Sequence, residues 1–175
     1  MPRLSIAPAL AMLTSISLVH AQAVSNPYAY RGFTPGMDYR AFADRAGIIS
    51  DNDVLRCNTA LTTAKRMECG VSIRDPADNA RFYLSAYVLE GKIMMLSFGD
   101  SGDARLVTRT QQDLARRFGA ASRKRPSSWE WKDGQRIARL TWRGRGSARW
   151  IYVSLTDQEV LNGIVKYVPA SKSQH

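Results

Sequence analysis

The sequence predicts an α+β fold built from two helix-plus-antiparallel-meander units, with the helices packed on one face of an antiparallel sheet. Two observations carry that reading. Two stretches, Met37–Ala46 and Ala104–Phe118, place apolar residues at helical spacing. Each is followed by runs of alternating aromatic and branched residues, joined by turn dipeptides such as Glu90-Gly91 and Asp133-Gly134.

In the first unit, Thr34-Pro35-Gly36 marks a turn. Tyr39, Phe42, Ala43 and Ala46 then share one helical face, with Asp38 as N-cap candidate and Gly47 as the stop. Asn58–Arg66 has no clear period. Met67–Arg74 alternates as a strand, and Asp75–Asn79 is a turn cluster. Arg81–Leu89 and Lys92–Gly99 form a hairpin across Glu90-Gly91.

In the second unit, Ser101-Gly102-Asp103 caps the helix Ala104–Phe118. Val107, Leu114, Ala115 and Phe118 form its predicted buried stripe, and Gly119 ends it. A basic loop, Arg123-Lys124-Arg125-Pro126, leads into three strands over Ser128–Lys132, Gln135–Arg143 and Ala148–Thr156. Asp157 is placed to cap a last short helix over Gln158–Tyr167.

The ends set the expected compartment. Arg3, the apolar run Leu4–Val19 and the small-x-small site Ala21-Gln22-Ala23 have the layout of a secretory signal peptide over residues 1–23. The run is shorter than the roughly 20 residues a spanning helix needs. The expected mature protein is a single domain over residues 24–170, with units at about 34–100 and 101–168 and a disordered tail at 171–175. It carries no integral membrane segment and resides in the periplasm or is secreted. An exported chain with two cysteines, Cys57 and Cys69, reads as one disulfide. Their spacing does not suit a CxxC redox pair, and no histidine lies nearby to complete a metal site.

Histidine usage narrows the chemistry. His20 falls in the predicted signal peptide and His175 is the last residue of the sequence. A folded core without histidine excludes Ser-His-Asp and Cys-His catalysis. Carboxylate pairs such as Glu130 with Asp133, or Asp157 with Glu159, sit at turns and element ends, where acids serve capping and solubility. No enzyme activity, cofactor or metal is expected.

Charge is concentrated. Residues 24–100 balance nine Lys/Arg against nine Asp/Glu, whereas residues 101–150 carry thirteen against four. All four tryptophans lie in the same stretch, at 129, 131, 142 and 150. Strand alternation sorts this stretch into two faces. Leu140, Trp142, Ile151 and Val153 are expected against the Val107/Leu114/Phe118 helix. Arg139, Arg143, Trp150 and Tyr152 then project together from the opposite face. With Arg125 and Trp129, they are the candidate binding residues, because Trp, Tyr and Arg dominate interface hot spots. The competing reading makes Trp150 and Tyr152 cross-strand packing under an arginine lid.

The element order, with Gly36-Met37 before the first helix, a disulfide near the first meander and Leu114–Gly119 before the tryptophan-bearing second meander, resembles β-lactamase-inhibitor-protein-like modules. Small envelope lipoproteins of the outer-membrane assembly machinery share one such unit, although this chain has no lipid-anchor cysteine after the predicted cleavage site. The resemblance implies a non-catalytic protein-binding module, with an extracytoplasmic protein as partner. The alternative from charge is an anionic envelope polymer or nucleic acid, bound through the basic segment 101–150.

Overall fold

Apolar–polar alternation, once strands pair, becomes a two-faced sheet. In the computed structural model, which describes residues 28–58, 66–146, 148–159 and 162, that sheet dominates. Its strands are β1 (Arg56–Asn58), β2 (Arg66–Arg74), β3 (Arg81–Leu89), β4 (Lys92–Gly102), β5 (Arg123–Arg125), β6 (Ser128–Asp133), β7 (Arg136–Arg145) and β8 (Ala148–Asp157). They form one eight-stranded sheet in the order β1-β2-β3-β4-β8-β7-β6-β5, with every neighbouring pair antiparallel. The helices are short: α1 (Tyr39–Ile48) has ten residues and α2 (Ala104–Phe118) has fifteen.

The α+β, two-unit expectation is therefore corrected: this is a mainly β protein with one continuous sheet. The cause lies in the middle of the chain. β4 runs to Gly102, past the expected end at Gly99, and pairs with β8 from Met95↔Thr156 to Gly102↔Arg149. That pairing leaves no edge between the two halves, so they share a sheet instead of forming separate units.

Smaller corrections follow from tertiary pairing. Arg123–Arg125, expected as loop, is edge strand β5, registered on β6 by Lys124↔Trp129 and Arg125↔Ser128. α1 passes through Gly47 to Ile48, and the Asp38 side chain makes no cap bond but pairs with Lys92 at 2.8 Å. In α2, Ala115 is exposed, and Thr110 joins Val107 and Leu114 as a buried residue. Thr110 satisfies its hydroxyl by donating to the Leu106 carbonyl at 2.8 Å. The α2 N-terminus matches expectation: Asp103 accepts from the backbone N–H groups of Arg105 and Leu106.

One hydrophobic cluster joins the inner face of the sheet to both helices. It includes Phe42 and Ala46 of α1, Val107 and Leu114 of α2, and Leu84, Leu96, Trp131, Leu140, Val153 and Leu155 of the sheet. The segment ahead of α1 belongs to it as well. Tyr28, Tyr30 and Phe33 are buried, with Tyr28 against Phe118 at 5.0 Å and Tyr30 edge-on to Phe98 at 5.0 Å between centroids. Arg31 lies 4.1 Å over the Phe82 ring and reaches Asp100 at 3.4 Å. The disulfide is present: Cys57 and Cys69 face each other across β1 and β2. No helix among the described residues is long and apolar enough to cross a membrane. The predicted signal peptide, the tail at 171–175 and most of the expected Gln158–Tyr167 helix lie outside the described residues.

Candidate binding face of the sheet

The parity that buries Phe82, Leu84, Ala86 and Val88 in β3 turns Tyr83, Ser85 and Tyr87 the other way. Register carries this second face across the sheet. One row runs through Gly70, Ser85, Ser97, Ser154, Arg139, Glu130 and Arg123. The next runs through Ser72, Tyr83, Gly99, Tyr152, Thr141, Ser128 and Arg125. Trp150 and Arg143 pair directly at one end. Both helices pack on the opposite face.

The central row of this face, from Gly70 through Ser85 and Ser97 to Ser154, carries only small side chains. Glycine at position 70 makes room for a phenol ring. A Cβ at Gly70 would collide with the Tyr83 hydroxyl, whereas one at Gly99 would make an ordinary contact with the Tyr152 ring at 3.4 Å. Trp150 is 54% exposed, Tyr83 53% and Tyr87 41%. These three exposed large aromatics share one face of the sheet but stand on separate rows: Tyr87 on the row of Met95 and Thr156, Tyr83 on that of Gly99 and Tyr152, and Trp150 beyond it toward Arg143. Partial burial raises the Tyr87 phenol pKa, and the neighbouring Glu68 carboxylate raises it further.

Of the predicted binding residues, Arg139, Arg143, Trp150, Tyr152 and Arg125 share this face. Trp129 does not. It pairs with Leu140 on the core side, lies tilted against Trp131 at 6.0 Å between centroids, and takes the Lys124 ammonium at 4.5 Å over its ring. The two readings of Trp150 and Tyr152 divide between them. Tyr152 is half-buried, and Arg143 donates to its hydroxyl at 3.2 Å with the guanidinium 5.5 Å from the ring centre. Trp150 has no such cover among the described residues and is 54% exposed. Trp142, expected in the core, is half-buried.

Tyr83 and Tyr87 were not among the expected binding residues, although the alternation in Arg81–Leu89 already placed them opposite Phe82 and Leu84. Their addition widens the site from β7–β8 to β3.

Charge on the face is uneven. Arg74 and Arg81 at the β2–β3 end both pair with Asp51, each at 2.8 Å. At the β5–β7 end, Glu130 holds Arg139 through Nε at 3.0 Å and Nη2 at 2.6 Å. Arg123 and Arg125 have no ion-pair partner among the described residues. No group of three or more His, Cys, Asp or Glu able to hold a metal occurs among the described residues. No family model, curated protein or solved structure matches this chain.

Proposed function

We propose that this protein is an exported, non-catalytic binding module of the periplasm or extracellular space, whose open sheet face docks a protein partner with acidic surface. The exposure of Trp150, Tyr83 and Tyr87 on the face that the helices leave open carries this reading. Rigid aromatic anchors beside arginines are the residue types that dominate interface hot spots. The surplus of cations at the β5–β8 side favours a partner with carboxylates. The disulfide supports an oxidising destination.

A photo-crosslinking residue at Tyr83, compared with one at Arg109 on α2, tests the reading in the cell that makes the protein. The expected result is a discrete protein adduct from position 83, absent from position 109 and lost with Trp150→Ala. Adducts of equal yield from both positions, or none from either, would sink it. An anionic polymer as the ligand would instead give heparin retention that collapses between about 50 and 200 mM salt, with no protein adduct.

A further inference from the structure

We propose that the cleft between β5 and β7 on the open face is a binding site for one tetrahedral oxyanion of the phosphate-monoester class. Arg123 and Arg125 of β5 and Arg139 of β7 line it, with the hydroxyls of Ser128 and Thr141 and the carboxylate of Glu130. Its volume is about 250 Å³. That is below the roughly 300–1,000 Å³ typical of drug-sized ligand pockets, and suits an anionic headgroup.

Register explains why these groups converge. Arg123, Glu130 and Arg139 form one row across β5, β6 and β7, and Arg125, Ser128 and Thr141 form the next. All six side chains therefore leave the same face within two adjacent rows. Glu130 engages the Nε and Nη2 edge of Arg139 and so sets the plane of that guanidinium. Arg123 and Arg125 lack ion-pair partners among the described residues, so their donors are uncommitted.

Charge selects the anion. Three guanidiniums against one carboxylate leave a surplus of two positive charges in the cleft. A phosphate monoester carries about −1.5 to −2 at neutral pH and offers three acceptor oxygens. A single carboxylate would leave the cleft half-neutralised and use fewer of its donors. Guanidinium forks match phosphate oxygens in pairs, and the two hydroxyls add neutral donors. This inference draws on the same β5–β7 cations that favour an acidic partner, but it does not need the aromatic anchors Tyr83, Tyr87 and Trp150, so either reading can fail without the other.

The test is titration of the full exported protein with inorganic phosphate at fixed ionic strength, followed by backbone amide shifts. Saturable shifts are expected at Arg123–Arg125, Ser128 and Thr141, reproduced by sulfate and not by chloride. The double variant Arg123→Gln/Arg125→Gln should weaken phosphate binding at least tenfold, with unchanged thermal unfolding, whereas Lys132→Gln should leave it unaltered. Co-sedimentation with phosphatidylcholine vesicles, with and without one-fifth phosphatidic acid, identifies the source. Binding that requires phosphatidic acid and fails in the double variant marks a lipid headgroup. Saturable phosphate binding without vesicle binding marks a soluble phosphate ester. Shifts that do not saturate, that chloride reproduces, or that survive in the double variant would overturn the proposal, whatever the vesicles do.

Discussion

The Trp131 indole N–H donates to the Gly119 carbonyl at 3.0 Å, tying a β6 side chain to the residue that ends α2. Trp131 is 1% exposed, and Gly119 closes the helix by donating its own N–H to Ala115. Gly119 has φ 79° and ψ −151°, a region essentially closed to other residues. Trp131→Phe keeps most of the buried ring but strands the Gly119 carbonyl, for a loss of about 1 kcal/mol. Gly119→Ala should cost about 1–3 kcal/mol through the backbone alone. Chemical denaturation of the two single variants and the double checks this. Less-than-additive loss is expected, because each change already disturbs the same helix end.

Trp150 and Trp131 should behave as opposites. Trp150→Ala removes an indole that is 54% exposed, so stability should change by less than about 1 kcal/mol. Trp131→Ala empties a closed part of the core and should cost about 3–5 kcal/mol. Urea midpoints decide it: a Trp150→Ala loss comparable to that of Trp131→Ala would show that Trp150 packs as a core residue.

The disulfide closes a loop with a sequence separation of 12. Chain-entropy reasoning gives about 3 kcal/mol for a loop of this size. Cys57→Ser/Cys69→Ser should lose that amount, and dithiothreitol should lower the wild-type midpoint to a similar extent while leaving the double variant unchanged. Thiol titration of the unreduced protein should find no free thiol.

Acid sensitivity should trace partly to the α2 cap. A hydrogen bond from the Arg105 side chain, followed by one from the Leu106 N–H, holds the Asp103 carboxyl below its usual range. A carboxyl depressed in the folded state stabilises the fold above its unfolded pKa of about 3.9, and that contribution fades as pH falls through the lower folded value. Asp103→Asn should therefore flatten the stability–pH curve below about pH 4 and lower the plateau at neutral pH. An unchanged slope in denaturant midpoints from pH 5 to pH 2 would count against this.

Much of the local structure was legible because it depends on neighbours in sequence. α2 and both of its boundaries followed from Asp103, the apolar spacing and Gly119. Alternation separated Arg139, Arg143, Trp150 and Tyr152 from Leu140, Ile151 and Val153. For Trp129 the face was legible but not the register: a turn at Asp133-Gly134 sets Trp129 opposite Ala138, whereas the turn falls at Gly134-Gln135 and sets it opposite Leu140, on the same core side. What could not be read depends on distant partners. β5 has no apolar residue to announce it and becomes a strand only against β6. Tyr28, Tyr30 and Phe33 are aromatic in sequence, but their burial is decided by α2 and β4. Nothing within either half of the chain indicates that β4 and β8 pair.

That central pairing bears on how the protein is made. Phe98 meets Val153 across a span of roughly 55 residues, a long-range contact that slows folding. During synthesis the β4 edge emerges first and has no partner until β8 follows. In that interval it is an open template for another chain, so dilution or a chaperone should raise the yield of refolded protein. The same seam is a natural place to divide the molecule: peptides cut between Gly102 and Ala104 should each be unstable alone and recover the native sheet when mixed.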